Sequence, residues 1–404
     1  QRIDNGIPPD AWARVVREDP ERPGLLYAGT ELGMYVSFNA GGSWQSLQLN
    51  LPQTPITDLR IQAGDLVVAT QGRAFWILDN LSPLRQHGDA SEIGGNHLFT
   101  PSTAYRVSQG LGGSVGPTTQ GQNKQPGVAI DYIVASSSDP TTLKLEILDV
   151  EGSVIRTFTA DTTENVNGIE YSRAPAEQGH NRFFWDLRIE NASAITESFS
   201  FFGETQGYRV MPGSYSVRFT LGDEAPLTAP VEVRGDPRIT SNQTDFSVNR
   251  RVLEAVFQAL TELHAGVNDI RAVRSQVTEV VERAQDVGLI RADSLEKVGA
   301  VLADSITALE DVLFQKRRQA QQDMVAYEGL LNMQLSALIG EVDGSDLPPT
   351  EGVQERLSDL EAEWFDARAA LDHVLGKMLD NFNQLARDAG LPAIIIRTQQ
   401  RTVS

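Results

Sequence analysis

The sequence predicts a mixed β and α protein of several domains, with two strand-rich parts followed by a helical part. Short apolar runs separated by tight turns occupy residues 1–86, and longer alternating runs occupy residues 97–235. Apolar residues three and four positions apart recur over residues 245–390. Alternation with a period of two is typical of strands, whereas steps of three and four are typical of amphipathic helices. A length of 404 residues also favours two to four domains.

Charge and composition exclude several function classes. The formal net charge of −20 argues against a nucleic-acid surface, because phosphate binding requires clustered Lys and Arg. The chain contains no cysteine, which excludes disulfides, thiolate metal sites and a Cys nucleophile. No apolar run reaches the roughly 20 residues of a membrane-spanning helix, so we expect no membrane span. The chain starts at Gln1 without a signal-like stretch, and we expect a fragment or a processed chain.

Residues 1–86 are predicted to be the last blades of a β-propeller. Strands are expected at 14–17, 25–30, 34–37 and 44–47, and four short antiparallel strands in about 40 residues are typical of one blade. A second copy follows, in which "LLYAGTELGMYVS" returns as "LVVATQGRAFWIL". A repeat near 40 residues indicates a propeller array. The second copy has strands at 56–61, 66–70 and 74–78, and no fourth strand is expected before Pro83.

The stretch "SFNAGGSW" separates the third and fourth strands of the first copy. Its Ser37, Asn39, Gly41 and Trp44 match the Asp-box pattern S-x-D-x-G-x-x-W, with Asn in place of Asp. In such a turn the Asn side chain bonds back to turn amides and Gly adopts a positive φ. We therefore expect Trp44 to pack over a structural turn and not to bind a ligand.

These features resemble the end of the sortilin-like, bacterial-neuraminidase-repeat (BNR) β-propeller proteins of bacteria, which are exported and often labelled glycosyl hydrolases. The resemblance continues through "GHNRFFWDLR" and "MPGSYSVRFTLGD" to "LARDAGLPAI", so it covers nearly the whole chain. It implies the C-terminal portion of such a protein, secreted, periplasmic or on the cell surface. The chain departs from the family at Asn39, where Asp is usual, and in lacking most blades.

Residues 97–235 are predicted to form an immunoglobulin-like or fibronectin-like β-sandwich. A Gly-rich loop is expected at 108–127, and strands are expected at 128–135, 143–149, 154–159, 181–187, 213–221 and 231–234. Short strands with turn residues at this spacing are typical of such sandwiches. The expected core residues are Phe183, Trp185, Tyr215, Val217 and Phe219.

Residues 245–390 are predicted to form an antiparallel bundle of three or four helices. One apolar stripe runs from Leu253 to Val281 and includes Arg274, and another runs from Val353 to Leu385. Shorter helices are expected at 295–319 and 325–339, with turns at 286–292 and 341–349. The stretches "EVDGSD" (341–346) and "QKRRQ" (315–319) are interpreted as a polar turn and a solvated helix face.

No catalytic constellation is apparent in the sequence. Glu31 and Arg73 occupy matching turns between strands and are low-ranking candidates to line a propeller funnel; a solvated or salt-bridged turn is the favoured interpretation of each. The five histidines are scattered without zinc-ligand spacing, so neither a metal nor a cofactor is expected.

The favoured interpretation is a non-catalytic binding or assembly scaffold. Its expected partners are a missing N-terminal propeller segment or a partner chain, with a glycan or a peptide as possible ligand. Two alternatives stay open. One is a sialidase-like glycoside hydrolase with its catalytic residues in missing N-terminal blades, and the other is a receptor-like propeller that binds an extended peptide.

Overall fold

The computed structural model describes residues 3–87, 94–107, 123–160, 165–166, 169–170, 173–196, 198, 205–320 and 322–396. In this part of the chain the fold is mixed β and α, as the sequence predicts, with strands before residue 236 and long helices after residue 242. Most of the predicted Gly-rich loop at 108–127 lies outside the described residues.

The first part contains two antiparallel sheets whose strands lie in sequential order. The four-stranded sheet has β1 (Ala13–Glu18), β2 (Leu26–Thr30), β3 (Met34–Ser37) and β4 (Gln45–Ser46), and the three-stranded sheet has β5 (Ile56–Gln62), β6 (Asp65–Thr70) and β7 (Phe75–Leu78). All seven strands lie within one residue of their predicted bounds. The prediction that the second copy has three strands is also confirmed.

The two sheets pack face to face around a shared apolar core. Gly29 allows the closest approach, because a Cβ atom there would lie 2.5 Å from Ile56 Cγ2 and 2.8 Å from Val15 Cγ1. Any side chain at this position would therefore push β2 away from β5. After β7 the short helix α1 (Ser82–Gln86) packs back against the first part. Leu84 contacts the shared apolar core, and Nε of Arg85 lies 3.0 Å from the buried carboxylate of Asp19.

The second part contains two larger sheets and a two-stranded hairpin. The side chains of the two larger sheets share one core, in which the rings of Tyr132 and Phe219 are 5.2 Å apart and those of Phe158 and Phe183 are 4.6 Å apart. The three-stranded sheet has the order β15-β10-β8, the five-stranded sheet has the order β12-β11-β16-β17-β9, and β13 pairs with β14. The bounds are β8 (His97–Leu98), β9 (Ala104–Arg106), β10 (Val128–Val134), β11 (Lys144–Leu148), β12 (Val154–Thr159), β13 (Asn165–Val166), β14 (Ile169–Glu170), β15 (Gly179–Trp185), β16 (Gly213–Thr220) and β17 (Leu227–Gly235).

Several strands of this part differ from the sequence prediction. The strand expected at 181–187 runs over Gly179–Trp185, and the one expected at 231–234 begins at Leu227. The strands β8, β9, β13 and β14 were not predicted. They are two or three residues long, too short for alternation to be recognised.

The third part contains one long helix with shorter helices packed along it. The elements are α2 (Gln243–Asp286), α3 (Ala292–Leu313), α4 (Asp323–Ala326), α5 (Leu331–Asp343), α6 (Glu351–His373), a π-helical turn (Val374–Met378) and α7 (Leu379–Asp388). Asn242 caps α2 by accepting hydrogen bonds from the amides of Thr244 and Asp245. Gly390, with φ of 78°, follows the last helix.

Two helix predictions are wrong in detail. The helix expected at 325–339 is broken into α4 and α5 around Gly329, a residue that weakens helices. The apolar stripe of α2 ends on the buried residues Val273, Val277 and Val280, whereas Arg274 and Val281 lie at its margin. A straight α-helix has 3.6 residues per turn, so a stripe drawn with steps averaging 3.5 drifts off the buried face.

The two polar stretches differ in detail from the sequence interpretation. The polar turn between helices that is expected over 341–349 begins later, because α5 continues to Asp343. The Asp343 and Asp346 side chains are 5% and 2% exposed and form ion pairs with Arg106 of β9. The stretch "QKRRQ" is not a helix face, because α3 ends at Leu313 and Arg318 is buried.

Candidate functional site

One face of the three-stranded sheet β5-β6-β7 carries apolar side chains that are open to solvent. Ala69 pairs with Phe75 and Val67 with Ile77, so these four side chains lie together on the same face. Phe75 is 76% exposed and Ile77 is 59% exposed. We call the surface formed by Val67, Ala69, Phe75 and Ile77 the outer face. A contiguous apolar patch on a sheet is typical of an interaction site.

The inner face of the same sheet explains why the outer face cannot turn inward. Trp76 and Leu78 alternate with the two exposed residues and pack against the shared core of the first part. Because side chains on a strand point alternately to opposite faces, burying Trp76 and Leu78 fixes Phe75 and Ile77 outward. The run "FWIL" is apolar at all four positions, which is the pattern of a strand covered on both faces.

The turn before β7 holds this strand in place. Gly72 has φ of 86° and Ala74 has φ of 59°, both in the left-handed region. The Thr70 hydroxyl donates to the carbonyl of Ala74 at 2.6 Å, and the indole Nε1 of Trp76 donates to the carbonyl of Arg73 at 2.9 Å. The turn therefore presents β7 in a defined orientation.

The strand β7 lies at the edge of this sheet. Among the described residues, β7 pairs with β6 and with no strand on its other side. Native proteins usually protect such an edge with Pro, Lys or a bulge, because its free N–H and C=O groups pair with other chains. The sequence Phe75–Leu78 contains none of these protective residues.

Glu31 and Arg73 occupy the turns between the second and third strands of the two sheets. Glu31 accepts a hydrogen bond from Nε of Arg14 at 2.7 Å, and the two side chains are 33% and 36% exposed. Arg73 is exposed, and its amide donates to the Thr70 hydroxyl at 3.1 Å. Glu31 therefore lies in an ion-paired turn and Arg73 in a solvent-exposed turn.

The turn formed by "SFNAGGSW" is closed by its own side chains. Asn39 Oδ1 accepts from the Ser37 hydroxyl at 3.0 Å and from the Ser43 amide at 2.8 Å. The Gly41 amide donates to Ser37 Oγ at 2.9 Å, and Gly41 has φ of 86°. Trp44 is 6% exposed, and its Nε1 donates to the carbonyl of Ile3 at 2.6 Å. These contacts satisfy the turn internally.

A second candidate surface lies where the first part meets the second. A cavity of about 800 Å³ is lined by apolar side chains, among them Leu78, Phe99 and Ile133. Three cationic or titratable side chains also line it: His87, His180 and Arg182. His97 also touches Phe99, with ring centroids 4.6 Å apart. Burial lowers the pKa of His97, so its imidazole is neutral near neutral pH.

The carboxylate of Asp131 organises this junction. It is 2% exposed and lies on β10, opposite Arg182 of β15. Its Oδ1 accepts from Arg182 Nε at 2.8 Å and lies 2.9 Å from Nε2 of His180, while its Oδ2 accepts from Asn80 Nδ2 at 3.4 Å. A buried carboxylate that orients an imidazole is also a feature of acid–base sites.

The other contacts of this group favour a structural role. Arg182 Nη1 donates to the carbonyl of Asp79 at 3.2 Å, so Asp131 and Arg182 together tie the chain after β7 to the sheet of the second part. Sequence reasoning overlooked these residues because they are isolated polar residues in separate strands. The one available signal is the Asp in the otherwise apolar strand "VAIDYIV".

Comparison with models of known protein families and with curated proteins finds no match. Within the described ranges, His, Cys, Asp and Glu side chains form no group of three or more suited to a metal ion. None of the helices in the described part combines the length and apolar character that crossing a bilayer requires.

Proposed function

We propose that this chain is a non-catalytic binding or assembly scaffold, the C-terminal part of an exported bacterial BNR-type propeller protein. The observation that carries the proposal is the outer face together with the open edge of β7. Phe75 and Ile77 are 76% and 59% exposed on a strand that is unpaired on one side within the described residues. Large exposed apolar side chains on an open sheet edge favour docking of another β-sheet.

The proposed occupant is a further blade of the same propeller, supplied by a preceding segment or by a partner chain. Propeller blades pack face to face, and a ring closes when a strand from elsewhere completes an incomplete blade. A four-stranded sheet packed on a three-stranded sheet is consistent with two neighbouring blades, the second of them incomplete. Burial of Phe75 and Ile77 would supply about 1.5–3 kcal/mol for each side chain.

The proposal also covers the fold of the second and third parts of the chain. The shared core of the second part supports an immunoglobulin-like or fibronectin-like sandwich, and the helices packed along α2 support a bundle. In this arrangement the sandwich and the bundle would be rigid spacers beside the propeller. The ligand would be a glycan or a peptide held by the complete ring.

The described residues favour a scaffold over a glycoside hydrolase. Glu31, the candidate carboxylate, is neutralised by Arg14 at 2.7 Å, whereas glycoside hydrolysis needs a pair of carboxylates held across a cleft. The receptor-like alternative uses the same surfaces as the scaffold and differs only in taking an extended peptide.

Co-purification tests the proposal with a matched pair of variants. The chain is co-expressed with a tagged polypeptide encoded directly before it in its gene, as wild type, as Ile77→Lys and as Val301→Lys. Both positions are 59% exposed, but Val301 lies on α3, far along the sequence from the outer face. We expect the wild-type chain and Val301→Lys to co-purify with the tagged polypeptide, and Ile77→Lys not to co-purify with it. Equal recovery of all three would contradict the proposal.

A panel of aryl glycosides separates the scaffold from the enzyme. The assembled protein is expected to hydrolyse none of them. If the protein hydrolyses an aryl glycoside and Glu31→Gln abolishes this activity, the scaffold proposal is wrong and the glycoside hydrolase alternative is favoured.

A further inference from the structure

A cavity of about 660 Å³ lies between α2, α3 and the segment that follows α3. Four cationic side chains and two carboxylates are among the residues that line it: Arg271, Arg274, Lys316, Arg318, Glu279 and Glu310. Positive charge is therefore in excess here, although the whole chain carries a net charge of −20. A concave surface with an excess of one charge concentrates its field on a ligand of opposite charge.

The two arginines of α2 are held in place from below. Arg271 and Arg274 are three residues apart, so both lie on one face of the helix. The buried carboxylate of Glu310 accepts from Arg271 Nε at 2.7 Å and from Arg274 Nη1 at 2.8 Å. One carboxylate thus orients two guanidinium groups and neutralises one of their two charges.

Glu310 remains ionised in this position. Burial raises its pKa, but the hydrogen bonds and charges of Arg271 and Arg274 outweigh burial and hold the pKa below its ordinary value. Its side chain is 1% exposed, so we assign it the role of a positioning residue that holds the two guanidinium groups.

Lys316 adds a third cation from a different element. Its Nζ lies 2.7 Å from Asp311 and 3.9 Å from Glu310, and the side chain is 35% exposed. The ring of Phe314 lines the same cavity, and the guanidinium of Arg271 lies 5.5 Å from the ring centroid. The cavity therefore offers cations from two elements beside an aromatic wall.

We propose that this cavity binds a small organic phosphate, with its phosphate group among Arg271, Arg274 and Lys316 and its organic part against Phe314. Guanidinium groups bind phosphate oxygens through paired hydrogen bonds, and an ammonium group adds a point charge. A bare phosphate ion is much smaller than the cavity, whose volume is in the range typical of small-molecule sites.

Calorimetric titration of the full chain with phenyl phosphate tests the proposal. Phenol and inorganic phosphate are titrated in parallel, because they represent the two halves of the probe. Lys316→Ala is the primary variant, since it leaves both hydrogen bonds of Glu310 in place. Arg274→Ala is the second variant, and urea unfolding checks that it is folded. Lys297→Ala and Arg283→Ala are the controls, because both side chains are exposed on α3 and α2, the helices that border the cavity.

We expect phenyl phosphate to bind more tightly than phenol or inorganic phosphate. Its affinity should fall about tenfold in each site variant, which corresponds to ~1.4 kcal/mol. Added NaCl should weaken binding, because the cations are partly exposed. The controls should bind as wild type. Three results would overturn the proposal: no detectable binding, equal affinity for phenol and phenyl phosphate, or unchanged affinity in Lys316→Ala.

Discussion

Arg106 and Asp343 form an ion pair that joins the second part of the chain to the helical part. The distance from Arg106 Nη2 to Asp343 Oδ1 is 2.7 Å, and the two side chains are 0% and 5% exposed although they are 237 positions apart. The same guanidinium also donates to Asp346. Asp343 also pairs with Arg188 at 3.0 Å, whereas the ion pair of Asp346 among the described residues is the one with Arg106. Removal of the Arg106 guanidinium therefore leaves the buried Asp346 carboxylate without a compensating charge.

Replacement of the arginine is therefore expected to be costly. Arg106→Met should lower the free energy of unfolding by about 3 kcal/mol, because Asp346 loses its cation in a buried site. The measurement is the urea midpoint and slope. Arg234→Ala is the control, because its ion pair with Glu232 is 56% and 50% exposed and should contribute less than about 1 kcal/mol. Equal losses in the two variants would mean that the cluster does not hold the two parts together.

His264 predicts a pH dependence of stability. Its Nδ1–H donates to the carbonyl of Ser193 at 2.9 Å, and the ring is 1% exposed. Burial, only partly offset by this hydrogen bond, lowers the pKa to about 4. The unfolded chain takes up a proton below its ordinary pKa of about 6.5, and the folded chain does not do so until about pH 4. Stability should therefore fall between these values as the pH is lowered, by up to ~1.4 kcal/mol per pH unit.

The comparison of His264→Gln with His373→Gln isolates this effect. His373 is exposed, so its variant should retain the full slope of stability against pH, measured by urea unfolding at several pH values. His264→Gln should have a shallower slope over the same window. An identical slope in wild type and His264→Gln would show that other groups cause the pH dependence.

Asn39 is expected to stabilise the turn through its amide group. Asn39→Ala removes two accepted hydrogen bonds and the one donated from Nδ2 to Ser43 Oγ at 2.9 Å. We expect a loss of about 1–2 kcal/mol in unfolding free energy. Asn39→Asp should lie within about 0.5 kcal/mol of wild type, because the Ser43 hydroxyl can turn to donate to the new oxygen. If Asn39→Asp lost as much unfolding free energy as Asn39→Ala, this account of the turn would be contradicted.

Two helical glycines should respond to Ala in opposite directions. At Gly266 of α2 a Cβ atom would lie 2.8 Å from Leu371 Cδ1 of α6, so Gly266→Ala should destabilise by about 1–3 kcal/mol through overpacking. At Gly340 of α5 a Cβ atom would meet nothing within 4 Å, so Gly340→Ala should stabilise by about 0.5–1 kcal/mol. Thermal unfolding of both variants provides the measurement, and stabilisation by Gly266→Ala would refute the close contact of α2 with α6.

The first part illustrates what sequence patterns predict well. Its strands are bounded by Gly-containing turns and paired with their sequence neighbours, so local information suffices. The turn formed by "SFNAGGSW" could be predicted for the same reason, since Ser37, Asn39 and Ser43 hydrogen-bond to one another within seven positions.

Long-range pairing explains what the sequence did not predict. The strand β9 pairs in parallel with β17, about 130 residues later, and its three residues carry no recognisable pattern. Asp343 and Asp346 belong to a stretch that the sequence predicts to be a polar turn, and their burial was not predicted because charged residues are rarely buried. Their partner Arg106 is about 240 positions away. The exposure of Phe75 and Ile77 could not be predicted either, because an apolar run does not reveal which face is covered.

Hydrogen exchange along β7 is the most direct test of the central proposal, that the outer face and its open edge receive another blade. Exchange of the amides of Phe75–Leu78 is measured by mass spectrometry in the chain alone and in its complex with the proposed further blade. The account predicts fast exchange in the isolated chain and strong protection in the complex, with the amides of α3 unchanged. The same exchange rate for β7 in both samples would contradict it.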